Sequence, residues 1–410
     1  MNIPPIKILA VLSVVALLAL GCSTSDADTA WLDGEPDWAS ASVDERAAMA
    51  VAETAADDAY DSGDGQSQLT GGSVDDNEHF GDYLDYREQL LQWGIQVRDV
   101  DPSGRVVITV SGGLGLPVAG TEVHVGWQGG AATLLTTADG SVRFHAEAYG
   151  AGDGPFTVAA GNVSAEAERD SELLLDTDLA TVGAEDAVAL DVLFLLDATG
   201  SMSDEIDQLK ATIQEVAQRI AGLPGDVHTR MGMTLYRDLE DSFVTATFDF
   251  TDYVDDFADA LGEVVADGGG DYPEALDEAL EEALALPSWR PASGTVQLVF
   301  LVADAPPQIG RQVRVPYNES MIDAAGRGIK IFPVSSSGTD DQAEFVFRQL
   351  AQFTGGRYVF LTYGAAGRAT GASSDITEED YENLSLSLDD LIVRTIAEEI
   401  ADLTTVVGNG

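Results

Sequence analysis

Val188-Ala-Leu-Asp191-Val-Leu-Phe-Leu-Leu-Asp197-Ala-Thr199-Gly-Ser201-Met202 is the stretch whose reading decides the fold. An almost wholly apolar run of this length reads as a strand buried on both faces, the habit of a parallel sheet covered by helices. It ends abruptly in a carboxylate, Asp197, with hydroxyls at the alternate positions Thr199 and Ser201. In an open α/β sheet, ligands bind just outside the carboxyl ends of the strands. Oxygen donors gathered there suit a hard divalent cation such as Mg²⁺.

Working outward, apolar strands alternate with helical patterns from about 185 to 405, the signature of βαβ units. Strands are predicted near 188–196, 228–236, 243–250, 296–303, 329–335 and 357–362. Helices are predicted near 204–221, 253–266, 272–286, 318–327, 341–354 and 387–403. The first helix has the clearest period, with Ile206, Leu209, Ile213, Val216 and Ile220 at three- and four-residue steps behind Ser203 as a candidate N-cap. A chain segment of this length can bury a substantial core. The expected fold class is α/β, a doubly wound and mostly parallel sheet.

A second apolar run, Val296-Gln-Leu-Val-Phe-Leu-Val302, ends near Asp304, which would bring a second carboxylate to the same sheet edge. A glycine-rich loop, Gly268-Gly-Gly-Asp271-Tyr-Pro-Glu274, is free to approach a ligand closely before its helix begins. Asp, Thr and Ser are ordinary turn and cap residues, so Asp-x-Thr-x-Ser alone says little. With Asp304 and the glycine loop the pattern becomes specific and resembles a von Willebrand factor A domain carrying a metal-ion-dependent adhesion site. Tyr236-Arg-Asp238, Asp304-Ala-Pro-Pro307, Gly328-Ile-Lys-Ile-Phe-Pro333 and Leu350-Ala with Thr354-Gly-Gly-Arg-Tyr358 extend the likeness over residues 185–405. The resemblance implies that Asp197, Thr199, Ser201 and Asp304 ligate Mg²⁺ (or Mn²⁺ or Ca²⁺). The family's middle-loop threonine falls here on Gly270, followed by Asp271. Either Asp271 takes over that coordination, directly or through water, or it serves as a helix cap or dipole partner. Tyr236, Arg237 and Asp238 read as supports for neighbouring loops, Glu274 and Glu278 as a solvated helix face, and Gly364 to Ser374 as a surface loop.

Enzyme classes fare poorly. The histidines (His79, His124, His145, His228) are scattered, and no Gly-x-Ser-x-Gly elbow occurs. Zinc would need His/Cys clusters, and the glycine runs lack the lysine and spacing of a phosphate loop. A hydrolase pairing Asp271 with Glu274 is the residual enzymatic alternative; the expectation is no enzyme.

Residues 1–22 read as a targeting segment, with Lys7 as their charged residue and an apolar core from Ile8 to Leu20. Leu18-Ala-Leu-Gly21-Cys22 resembles a lipoprotein lipobox, which implies lipid on Cys22, the chain's single cysteine; an ordinary cleaved signal is the alternative. One cysteine forms no internal disulfide. Residues 23–88 carry 18 Asp/Glu against two Arg and read as a disordered acidic tether of roughly 45 Å as a flexible coil. Phe80, Tyr83, Leu84, Leu90 and Leu91 suggest a short amphipathic segment docking at its end. Short alternating runs punctuated by turn residues over 89–180 predict a small antiparallel β-sandwich. Leu116-Pro-Val-Ala-Gly-Thr-Glu-Val123 and Thr136 to Phe144 resemble carboxypeptidase-regulatory-like or Ig-like modules, with a spacing or stiffening role.

The net charge of −51 makes nucleic acid and anionic membrane surfaces poor partners. Such an acidic, lysine-poor surface suits work in high salt, or simply a soluble acidic exported protein. The expected function is an extracytoplasmic protein of the cell envelope (outer membrane or cell surface), held to the membrane by lipid alone. Its cation would bind a protein partner through the partner's acidic side chain. The alternative is a non-adhesive scaffold subunit with a structural or absent metal.

Overall fold

In the computed structural model the described residues are 69–183, 186–223, 226–270, 272–336, 338–363 and 386–407. The central strand is β9 (Ala187–Asp197), flanked by β10 (Asp226–Tyr236) and β12 (Thr295–Ala303), both parallel to it. Beyond β12 come β13 (Lys330–Ser335) and β14 (Tyr358–Tyr363), also parallel, while β11 (Thr245–Thr251) closes the far edge antiparallel to β10. Leu193 and Leu195 face one helix layer, and Val192, Phe194 and Leu196 face the other. That two-sided burial is why the run shows no alternation.

The first layer holds α2 (Ser203–Ala221), α3 (Val254–Gly262) and α7 (Leu388–Asp402); the second holds α4 (Leu276–Ala285), α5 (Tyr317–Gly326) and α6 (Asp341–Thr354). The sheet is doubly wound, as expected. The stripe of α2 (Ile206, Leu209, Ile213, Val216, Ile220) is buried in the same core as Val192, Phe194 and Leu196 of the sheet. Ser203 does not cap this helix: it is the first helical residue, entered directly from a 3-10 turn over Gly200–Met202. Among the described residues no helix is long and apolar enough to cross a membrane.

Order begins earlier than the composition of 23–88 suggests. β1 (Leu69–Val74) adds to the sheet antiparallel to β14, with Leu69 opposite Tyr363 and Val74 opposite Tyr358. α1 (Phe80–Gln92) then buries Tyr83, Tyr86 and Leu90 against Phe345 of α6. Asp76 pairs with the fully buried Arg348 at 2.6 and 3.0 Å, and Tyr86 lies under the same guanidinium. The tether reading therefore does not hold for 69–88. A Gly-Gly-Ser strand carries little hydrophobicity of its own; its stability comes from ladder bonds to an edge that sequence cannot display.

The module over 106–176 is a two-sheet sandwich. One sheet, β4 (Gly130–Leu135), β3 (Glu122–Trp127), β6 (Phe156–Ala160) and β7 (Val163–Ala167), is antiparallel throughout. In the other, β5 (Ser141–Phe144) runs antiparallel to β2 (Val106–Ser111), but β8 (Glu172–Asp176) runs parallel to it. The module sits at the amino ends of β12 and β13. A side chain at Gly120 would strike the Ala292 carbonyl, and one at Gly328 the carbonyls of Leu135 and Thr136. Ala138 enters the main core, and Lys330 is buried between Glu399 (2.9 Å) and Asp139 (3.7 Å). The module thus occupies the end of the sheet opposite Asp197.

Candidate metal centre

Asp197 is the last residue of β9, in register with Tyr236 on β10, and Asp304 follows β12 on the other side. Parallel pairing of β9 and β12 is what sets both carboxylates at one edge. Asp197 is buried, and its Oδ1 accepts from Thr199 N–H at 3.0 Å and from Thr199 Oγ1 at 2.7 Å. Ser201 Oγ lies 3.3 Å from Thr199 Oγ1 and is hydrogen-bonded to Asp304. Asp197, Thr199, Ser201 and Asp304 therefore stand together, with Ser201 exposed to solvent.

The glycine loop lies directly on these residues. Gly268 O accepts from Gly200 N at 3.3 Å, and Asp267 N donates to Ala198 O at 3.1 Å. Gly269 (φ +75) has no room for a side chain: a Cβ would fall 2.8 Å from Thr199 Cβ and 3.1 Å from Glu274 Oε1. Asp271, the remaining ligand candidate, lies outside the described residues, as do Cys22 and Gly364 to Ser374.

Glu274 is not on a solvated helix face. It precedes α4, is 4% exposed, and donates its backbone N–H to Pro306 O at 3.0 Å. Its Oε1 is the oxygen that crowds Gly269. Glu278, one turn on, is half-buried and paired with Arg311. The signal for Glu274 was its place directly after the glycine loop, which fastens it to the site rather than to the outer face of α4.

The electrostatics are one-sided. Burial, then the charge of Asp304, push Asp197 up to about 7 despite the Thr199 bonds. Burial, then Asp197, Asp238, Asp241 and Asp304, push Glu274 up to about 8. Asp197 Oδ2 and Glu274 Oε2 are buried; the Tyr236 hydroxyl stands beside Asp197 and favours its charged form, though less than burial disfavours it. The nearby cation does not help: Arg237 donates to Ala198 O (3.0 Å), Ser242 Oγ (3.0 Å) and Val265 O (2.6 Å), bracing loops as the sequence suggested. Among the described residues no Lys, Arg or His forms an ion pair with Asp197, Glu274 or Asp304.

Unpaired buried carboxylates are expensive unless a positive charge is at hand. Neutral and anionic oxygens on adjacent loops, with an unspent carboxylate oxygen among them, are the donor set of a hard divalent cation. The residues fit such an ion. Among the described residues no three His, Cys, Asp or Glu side chains converge tightly enough to hold a metal by themselves. A cation held by the described residues would therefore draw on the hydroxyls of Thr199 and Ser201 as well.

The comparisons bear on the sheet that builds this edge. The family model for the von Willebrand factor type A domain matches residues 191–362. A putative ariadne-like RING finger protein of Acanthamoeba polyphaga mimivirus is 26% identical over 193 residues, covering 43% of this chain and 19% of that protein. An alpha-protein kinase of Dictyostelium discoideum is 30% identical over 118 residues, covering 28% and 18% respectively. The chain thus spans about a fifth of the length of these relatives. Similar solved structures include the conserved hypothetical protein BatB from Bacteroides thetaiotaomicron, 15% identical with a TM-score of 0.32, covering 53% of this chain and 98% of that one. The pilus adhesin SpaC from Lactobacillus rhamnosus GG is 10% identical with a TM-score of 0.35, covering 54% and 31%. Residues 191–362 of this chain are a von Willebrand factor type A domain.

Proposed function

We propose that this chain is a membrane-tethered, extracytoplasmic binding protein that uses a divalent cation to hold a protein partner, and that it is not an enzyme. The observation that carries the reading is Asp197, whose buried carboxylate accepts from Thr199, has only the Tyr236 hydroxyl as a further neighbour, and lies beside Asp304 with no cation among the described residues paired to it. Asp197, Thr199, Ser201 and Asp304 would hold Mg²⁺ or Mn²⁺, with Asp271 a further donor. The bound cation would supply a Lewis-acidic position for a carboxylate of the partner. The chain's own residues do the rest. Thr199 orients Asp197, the glycine loop excludes bulk from the floor of the site, and exposed Ser201 keeps one side open. Lipid on Cys22 would fix the chain to the envelope, at an outer membrane or cell surface.

A second reading is favoured by one observation. Glu274 brings a third carboxylate, itself buried, to the site, and an ion satisfied from within would be structural, making the domain a scaffold. Calorimetric titration of Mg²⁺, Mn²⁺ and Ca²⁺ into the full chain separates the cases. Binding by the wild type and its loss in Asp304→Ala are expected, with partner capture abolished by EDTA and by Asp197→Ala. Capture that is indifferent to chelation and to Thr199→Ala would leave the scaffold reading.

A further inference from the structure

We propose that Arg98, which lies outside residues 191–362 on the segment joining α1 to β2, is a positioning residue for the cation site. The inference rests on the cation reading above. Arg98 Nη1 donates to both oxygens of Asp277, at 2.8 and 3.0 Å. Nη2 reaches the carbonyl oxygens of Gln308, Ile309 and Arg311, each at 3.4 Å. Its backbone N–H donates to the Tyr317 hydroxyl at 3.1 Å, which itself lies 3.0 Å from Arg98 O and 3.1 Å from Gln349 Oε1.

The two sets of contacts fall on the helix start that follows Glu274 and on the loop that carries Asp304. Asp277 is fully buried in the first turn of α4, three residues after Glu274, and also accepts from Tyr317 N at 2.7 Å. The segment 308–311 is the continuation of the loop that opens at Asp304. Between them the loops touch at the Glu274 N to Pro306 O bond, and Gln308 Nε2 donates to Asp238 Oδ1 and, at 3.3 Å, to Pro273 O. Pro306 and Pro307 supply no N–H, so the loop is short of bonds of its own. A planar fork with donors on both nitrogens clamps an acid on one side and several carbonyls on the other, which a single ammonium does not reproduce. Arg98 therefore rivets the start of α4 to the Asp304 loop. Removing a group hydrogen-bonded to a metal ligand costs about 10–100-fold in affinity. Arg98 acts one step further back, through the backbone that carries the ligands, so its effect belongs at the low end of that range.

The test is Mn²⁺ binding to the full chain, wild type against Arg98→Ala, Arg98→Lys and Asp304→Ala, each measured below its own melting transition. Arg98→Ala is expected to weaken Mn²⁺ binding about tenfold. Arg98→Lys should recover part of this, because an ammonium reaches Asp277 but not the carbonyls as well. A merely structural arginine would lower the melting temperature of the chelated Arg98→Ala chain while leaving Mn²⁺ affinity within about twofold of wild type, and that result overturns the proposal. Should Arg98→Ala fail to fold, wild-type affinity in Arg98→Lys overturns it equally. A wild type that binds no Mn²⁺ removes the cation reading itself, whereas wild-type binding lost in Asp304→Ala but not in the Arg98 variants removes only this inference.

Discussion

Asp197 illustrates how a single residue is set by opposing terms. Thr199 bonds favour its charged form, yet burial and Asp304 dominate and hold its pKa near 7, with Glu274 near 8. The sign of the consequence follows from linkage. Between the ordinary carboxylate range and these raised values the folded chain keeps protons that the unfolded chain has lost, so stability falls as pH rises through that window. For Asp197 a shift of this size corresponds to a few kcal/mol. Thermal melts of the chelated protein should therefore show a higher transition near about pH 5 than near about pH 8, with a smaller difference in Asp197→Asn. Saturating Mg²⁺ should flatten the dependence, because the cation replaces the protons. A melting temperature in EDTA that rises with pH would contradict the arrangement.

At the scale of elements, the segment 69–92 is the telling case. Its strand and helix attach to the sheet through β14 and α6, and the Asp76–Arg348 pair is buried at both ends. Removing one partner of a buried pair costs about 3–5 kcal/mol, and because Glu344 also lies 3.4 Å from Arg348 the loss for Asp76→Ala belongs at the lower end, about 3 kcal/mol. Asp76→Ala should accordingly shift the denaturant midpoint by a large fraction of the total stability, read by tryptophan fluorescence or circular dichroism. A midpoint within experimental error of wild type would show that this segment is an appendage. Of the residues that suggest an amphipathic docking segment, Tyr83 and Leu90 are buried on α1, where Tyr86 joins them. The strand before it was not legible, since its ladder partners lie on β14, remote in sequence.

For the molecule as a whole, the sandwich and the seven-stranded sheet are not beads on a string. Ala138 is part of the main core, Lys330 is shared between Asp139 and Glu399, and glycine at 120 and 328 permits backbone-to-backbone approach. Burial alone would lower the Lys330 pKa, but Asp139 and Glu399 outweigh it and keep it raised. A chain joined this tightly should unfold in one calorimetric transition with matching calorimetric and van't Hoff enthalpies. Two separated peaks would mean that the module is an independent spacer. The module stands at the amino ends of the strands, so its docking leaves the Asp197 edge uncovered.

By itself the sequence determined the α/β class, the order of strands and helices over 185–405, and the arrival of Asp197, Thr199, Ser201 and Asp304 at one sheet edge. The reason is that periodicity and strand-end residues are local properties, and parallel pairing then brings strand ends together wherever they lie in the chain. Tertiary structure alone decided that Glu274 turns inward, that Arg98 reaches the loops behind the site, and that 69–74 becomes an edge strand. Each of these depends on a partner more than a hundred residues away, or on the space left beside a glycine, and neither distance in space nor room for a side chain is written in local pattern. A glutamate ahead of a helix and an arginine in a linker have the same composition whether they face water or an unpaired charge. Packing supplies the difference, because burial is what makes the charge costly and its partner consequential.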